Sequence, residues 1–490
     1  MRRGFLGLET LCVLLAFSLL LVLGSGHFLF GQYAKWERSR AVAEAERAGL
    51  LNADGKTADQ IEYNTAAELI IIGGLLEEES VAWQAVRLSE RDGGLPKWDP
   101  STDPLPDHHR RVYEKAVASQ KSALGVMDRV ADRYDALTRD HWPAGRWFVV
   151  KPTGQTMPFD DLLPWLNAQR SLSQALQYRG FLASGDLRVD DALRDARVIL
   201  GQADAMTSSD YLVTGMVGLG SRRDALDLVE HVVVFLDPDQ IGSGAGQVSE
   251  PDLRRLIEGL QDDTFVERSL RNSLLGETEM GIGSIDAFLS VTVRDRLQSL
   301  VERSARVTTG FVRLPLQLIL RPFFDLEVAR FLRHMLHTAT GLTAKTGPQW
   351  VESVPPDEDL SIDPTWTRPF PIGSMFVGSW GRAGRVHFET LARQQRAAVA
   401  LAVRLYQHDH DGAYPTTLDA LVPDYVPSVP HDASTRSEPI GYDKDTLRLW
   451  IAGEDGDHDG GVSEKDLFED NPDATVRELA GRFDEVLQLR

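Results

Sequence analysis

The sequence predicts a mainly α-helical protein with three parts: an N-terminal transmembrane helix, an α-helical bundle with one repeat-like hairpin, and a small α+β domain at its C-terminal end. Three observations carry this reading. A nearly uncharged apolar stretch opens the chain, helical periodicity dominates from about residue 34 to 345, and a helix restarting at 386 runs into short alternating and acidic segments. The implied division is an anchor over 1–33, an α-helical domain over 34–344, a linker rich in Pro, Gly and Trp over 345–385, and the C-terminal domain over 386–490.

At 490 residues the chain exceeds one ordinary core. Its 42% hydrophobic and 26% charged residues are those of a globular protein. Lys and Arg number 52 against 73 Asp and Glu, a formal charge of −21. Phosphate recognition needs a basic face, so nucleic acid is not the expected partner; cations are. With Cys12 as its one cysteine the chain cannot form an internal disulfide.

From Gly4 to Phe30 the ionisable residues are Glu9 and His27, and Leu11–Leu23 is apolar apart from Ser18. A span of this length can cross about 30 Å of hydrocarbon. "VLGSGHFLFG" is a poor signal-peptidase site, so a retained single-pass anchor is expected. Arg2 and Arg3 precede the span while Lys35, Arg38 and Arg40 follow it, and the positive-inside rule does not decide its direction. A very short N-terminal tail before a long soluble portion favours an inner-membrane protein with that portion outside the cytoplasm.

Glu9 is costly in a lipid-facing helix and calls for a role. In "RRGFLGLETLCVLLAF" a basic leader ends in Gly4, Phe5 follows, and Glu9 stands fifth after the glycine. This resembles the processing site of type IV pilins and type II secretion pseudopilins. The resemblance implies cleavage of a leader, residues 1–4, after Gly4 and pairing of Glu9 with a neighbouring subunit's N-terminus. The four-residue leader and Gly7 depart from that pattern. The alternative is a signal-anchor whose Glu9 stays wet at the membrane edge.

The middle reads as successive amphipathic helices, with "WPAGRWFVVKPTG" as a short extended break. Leu176, Gly180, Ala192 and Ala196 fall at the offsets of a tetratricopeptide-like hairpin, where small residues let two helices approach. Further helices are expected at 210–236, 250–262, 284–306 and 323–341, with "FVERSLRNSLLGETEMG" as loop and charge between the second and third. "GSGAG" at 242–246 lacks the strand and the Gly-Lys-Ser/Thr ending of a phosphate cradle. No nucleophile elbow, HExxH or paired catalytic carboxylates stand out, and His334 and His337 read as packing. The expectation is a non-enzymatic scaffold for protein partners; an enzyme housed in the helical domain is the competing reading.

At the C-terminal end a helix exits at Gly412, and Leu447, Leu449 and Ile451 alternate with Arg448 and Trp450 as a half-buried strand. Residues 397–470 resemble the C-terminal part of the major pseudopilin of type II secretion. Tyr406, Gly412, Tyr414, Pro415, Leu418, Leu421 and Val422 match its helix exit; Asp432, Pro439 and Tyr442 its pre-strand motif; Gly453, Asp455 and Gly456 its entry to a calcium loop. Ile451 and Ala433 depart from the family, and some 350 residues separate anchor from module. A large pseudopilin, processed after Gly4 and built into a fibre, is therefore an alternative to a free envelope protein.

The chemistry of "DGDHDGGVSEKD", residues 455–466, points to Ca2+ independently. Asp455, Asp457 and Asp459 occupy positions 1, 3 and 5 of an EF-hand-type loop, Gly461 offers the position-7 carbonyl, and Ser463 and Asp466 occupy positions 9 and 12. Calcium takes six to eight oxygens, and nine acids from Glu454 to Asp473 stand against one lysine. Ser463 can also N-cap a helix with Asp466 three residues on, and a final amphipathic helix is expected over about 473–488. "HDHD" at 408–411 is too tightly spaced for one zinc site.

Overall fold

The computed structural model describes residues 28–48, 98, 100, 103–133, 159–207, 212–242, 247–303, 310–354, 380–435, 437–453, 456–463, 466 and 484–489. Gly4, Phe5, Glu9, the apolar stretch Leu11–Leu23, the extended break at 142–154 and Asp455 lie outside them. Among the described residues no helix is long and apolar enough to cross a membrane.

In chain order the helices are α1 (28–47), α2 (Asp107–Ser119), α3 (Lys121–Arg133), α4 (Phe159–Gly185), α5 (Val189–Thr207), α6 (Leu212–Phe235), α7 (Glu250–Gln261), α8 (Thr264–Arg303), α9 (Gly310–Thr340), α10 (Gly347–Ser353) and α11 (Trp380–Asp409). One antiparallel sheet, β1 (Gly441–Asp443), β2 (Arg448–Ile451) and β3 (Glu485–Gln488), has the order β1-β2-β3.

The chain forms two compact units: 1–56, 274–340 and 354–380 in one, 57–273, 341–353 and 381–490 in the other. This grouping differs from the linear division into 34–344 and 386–490, because α11 shares a core with α6 and α7. Nor is 345–385 a linker throughout: α10 lies within it, and α11 begins at Trp380.

In the smaller unit α1 turns Ala34, Ala41 and Ala45 inward, all fully buried. Spacings of seven and four residues keep them on one face. Phe30 meets Phe323 at 5.2 Å between ring centroids, Arg38 Nη1 donates to Asp325 at 2.9 Å, and Glu37 pairs with Arg333. A side chain at Gly281 would collide with the Phe331 ring, so α8 and α9 approach closely there. This corrects one expectation. Residues 265–281, read as charge and loop, are helix, and α8 runs unbroken over Thr264–Arg303. Glu, Arg, Leu and Met are good helix formers, and Gly281 serves packing rather than a turn.

In the larger unit α4 and α5 form the hairpin read from the sequence. Leu176, Ala192 and Ala196 are fully buried, and Leu187 turns the chain with a φ of 60°. α7 buries Leu253, Leu256, Ile257 and Leu260 at helical spacing, and Pro251 sits in its first turn, where the missing N–H costs nothing. α11 ends in a left-handed Gly412, φ 81°, whose N–H donates to the Gln407 carbonyl at 2.8 Å.

The last segment corrects a second expectation. Of the helix expected over 473–488, residues 485–488 form β3, with Trp450 opposite Val486 and Leu449 opposite Leu487. Burial decides it: Leu487 and Leu489, two apart, are buried as a strand buries them. Leu447 likewise leaves the predicted strand, taking a φ of 54° in the turn before Arg448.

Candidate functional site

β2 delivers the chain into the acidic loop, and the residue before β3 closes it. Gly460 and Gly461 both have φ near +77° to +78°, a backbone that favours glycine. The N–H groups of Asp459 and Gly461 turn inward here. Asp484, just before β3, collects them: its Oδ2 accepts from Asp459 N at 3.0 Å and Gly461 N at 2.7 Å. The Asp484 side chain is 1% exposed, and its Oδ1 is buried with no hydrogen-bond partner among the described residues. Burial pushes this carboxyl up from its ordinary range, against the two amides that hold it down.

On one flank lies Arg448. Its Nη1 donates to the Gly461 carbonyl at 3.0 Å and to Asp466 Oδ2 at 2.9 Å, and Nη2 to Asp466 Oδ1 at 3.2 Å. Ser463 N and Oγ donate to Asp466 Oδ2 at 2.9 and 2.8 Å, and Asp466 N returns a bond to Ser463 Oγ at 3.2 Å. This is the reciprocal cap read from the sequence. Burial would raise the Asp466 carboxyl, but the Ser463 amide and the guanidinium bring it below the usual range.

On the other flank lies Asp432, fully buried. Its Oδ1 accepts from Ser434 N at 2.8 Å, and its Oδ2 from Ala452 N at 2.7 Å and His458 Nε2 at 2.9 Å. His458 Nδ1 lies 3.2 Å from Glu438. Burial opposes ionisation of Asp432, yet His458, Ser434 and the Ala452 amide together hold its carboxyl low. The bond to Asp432 raises the His458 imidazole in return.

Of the residues read as calcium ligands, then, Gly461, Ser463 and Asp466 are brought together around a guanidinium. Asp457 and Asp459 are exposed on the turn beside Asp484 in the chain's return, and Asp455 lies outside the described residues. Among the described residues no three His, Cys, Asp or Glu side chains converge as a metal cage. Part of the local acidity is met by Arg448 and His458.

A buried ionic core ties this loop to the helices. Arg396, on α11, donates through Nη1 to the Glu485 carbonyl at 2.5 Å and through Nη2 to Glu230 Oε1, on α6, at 2.7 Å. Arg393 pairs with Glu230 and Asp227 at 2.5 Å each. Burial would neutralise Glu230, but the two arginines hold its carboxyl low.

Elsewhere the histidines at 408 and 410 serve the backbone. His408 Nδ1 faces the Pro238 carbonyl at 3.0 Å and His410 Nδ1 the Tyr406 carbonyl at 2.8 Å, so the "HDHD" rings diverge. His334 is buried whereas His337 is exposed. Ser269 Oγ lies 2.9 Å from His387 Nε2, a serine–histidine contact unforeseen in the sequence. Both residues are fully buried, and burial pushes the imidazole down to about 4. A substrate has no approach to that pair; it packs α8 on α11.

Sequence reasoning missed Asp484, Asp432 and Arg448 as members of the site. The alternation "EVLQL" behind Asp484 carried a strand signal that would have placed it beside β2. No family model, curated protein or solved structure matches the chain.

Proposed function

We propose that the chain is a non-enzymatic, membrane-anchored envelope protein, with a helical scaffold carrying a pseudopilin-like module stiffened by calcium outside the inner membrane. The observation that carries the reading is the buried Oδ1 of Asp484, without a partner among the described residues, behind an aspartate-rich turn. A buried carboxylate oxygen without a partner is costly. A hard cation held jointly with Asp455, Asp457 and Asp459 relieves it, and calcium accepts such an all-oxygen set. Asp466 and the Gly461 carbonyl serve Arg448 instead. The anchor rests on the uncharged apolar stretch Leu11–Leu23.

The test is thermal unfolding of the full chain in detergent, with calcium or with chelator. Extracellular calcium modules bind at about 10⁻⁴ to 10⁻³ M. At about 1 mM calcium and a dissociation constant of about 10⁻⁴ M, mass action gives about 1.4 kcal/mol, a shift of a few degrees. Asp459→Ala and Asp484→Asn abolish the shift and Asp466→Asn retains it. Identical melting with and without calcium in the unsubstituted chain refutes the calcium site.

A further inference from the structure

Six large hydrophobic side chains among the described residues are exposed, and four of them stand on α1: Phe28 at 63%, Leu29 at 66%, Tyr33 at 52% and Trp36 at 55%. Leu29, Tyr33, Trp36 and Arg40 follow at i, i+4, i+7 and i+11, one stripe of a helix. The inward residues Ala34, Glu37, Ala41 and Ala45 lie on a different face of the same helix, so the stripe points away from α9. Its rings are ordered against one another: Tyr33 and Trp36 sit 6.2 Å apart, and the Arg40 guanidinium lies 5.7 Å from the Trp36 ring.

We infer that this stripe is a lipid-contact face that seats the smaller unit in the headgroup layer of an anionic phospholipid membrane. The inference rests on the anchor reading above. The stretch from Gly4 to Phe30, whose ionisable residues are Glu9 and His27, sets the level at its end. At about 1.5 Å per helical residue, Tyr33 and Trp36 lie about 4.5 and 9 Å beyond it. The layer between hydrocarbon and water is about 5 to 8 Å thick on each side of a bilayer. Tyr33 falls within that layer and Trp36 at its outer edge, where Tyr and Trp are enriched because one end is apolar and the other wet. Lys35, about 7.5 Å beyond Phe30, lies at the same level with a stem long enough to carry its charge to lipid phosphates, whereas Arg40 stands about 15 Å beyond and pairs with Glu44 at 2.9 Å. A protein partner would need to cover the stripe while leaving room for the membrane that begins one turn earlier.

The experiment places nitroxide labels on the full chain in vesicles of phosphatidylcholine and phosphatidylglycerol, and measures collision with oxygen and with a water-soluble nickel chelate. Native Cys12 reports the anchor. Tyr33→Cys and Trp36→Cys in a Cys12→Ser background report the stripe, and Leu187→Cys, 72% exposed elsewhere in the chain, gives the aqueous value. The expected result is a loss of nickel access at 33 and 36 relative to 187. If Cys12 reads hydrocarbon while 33 and 36 match 187, the lipid face is overturned and the anchor stands. If Cys12 itself reads water, the anchor reading fails and takes the inference with it. Spectral broadening at 36 that disappears on dilution with unlabelled chain means that a second copy covers the stripe, which also overturns the proposal.

Discussion

His458 Nε2 stands 2.9 Å from Asp432 Oδ2, an imidazole raised and a carboxylate lowered by the same hydrogen bond. The pair sets a pH window. A raised histidine contributes stability that is complete below its ordinary value of about 6.5 and is lost as pH climbs through the raised one. A lowered aspartate contributes stability that is present above about 3.9 and is lost as pH falls through the depressed value. Melting temperature is therefore expected to fall as pH rises from about 6.5 through the raised histidine value, and His458→Gln should flatten that decline. Removing the imidazole also leaves the buried Asp432 oxygen short of a donor, at a cost of about 1–3 kcal/mol. A pH series of melting curves for the two chains decides it; equal slopes refute the pairing.

Glu230 supports Arg393 and Arg396 together. Glu230→Leu leaves the buried Arg396 guanidinium without its nearest carboxylate and Arg393 with Asp227 alone, and is expected to cost about 3–5 kcal/mol, read by denaturant unfolding. Because its pKa is depressed, the contribution of Glu230 persists above the ordinary carboxylate range and disappears as pH falls through the lowered value. A loss under about 1 kcal/mol would show that water reaches the cluster.

Gly180 and Gly125 are both helical, and they predict opposite outcomes. A Cβ at Gly180 meets the Leu228 side chain, whereas at Gly125 it meets nothing within 4 Å. Gly180→Ala is expected to destabilise by about 1–3 kcal/mol through overpacking. Gly125→Ala should stabilise by up to about 1 kcal/mol through helix propensity. Calorimetry of the two variants checks both, and the same sign for each would contradict the packing of α4 on α6.

Arg404 donates from Nε to the Val233 carbonyl at 2.8 Å and from Nη2 to the Val234 carbonyl at 2.9 Å, closing the end of α6. A lysine has one point of charge and cannot reproduce this fork. Arg404→Lys should therefore cost about 1–3 kcal/mol despite keeping the charge. Melting of that variant unchanged from the original chain would show that the carbonyls find water instead.

The helical part was legible because its periods are long and clean: Leu253, Leu256, Ile257 and Leu260 need no partner to be read as one face. The Ser463–Asp466 cap was legible for the same reason, being local. What escaped detection is non-local. Asp432, His458 and Asp484 are brought together only when β2 and β3 pair, and Arg448 looks in the sequence like the outward residue of a strand. Residues 265–281 read as loop and charge in the sequence, and the reason for Gly281, the Phe331 ring, lies 50 positions away. β3 is four residues long, too short for period two to outweigh a longer helical pattern.

The buried Glu230 also has a consequence in time. Its partner Arg396 follows 166 residues later in the chain. At about 5–20 residues per second of synthesis, roughly 8 to 33 s pass between the emergence of one and of the other. Throughout that interval the side of α6 that carries Glu230 faces water, while its contacts with α4 and α5 can already form. The ion pairs with Arg393 and Arg396 wait for the C-terminal segment. A ribosome stalled before α11 would hold the α4–α6 packing with the Glu230 side uncovered, and the last hundred residues act as the clasp that ends that exposure.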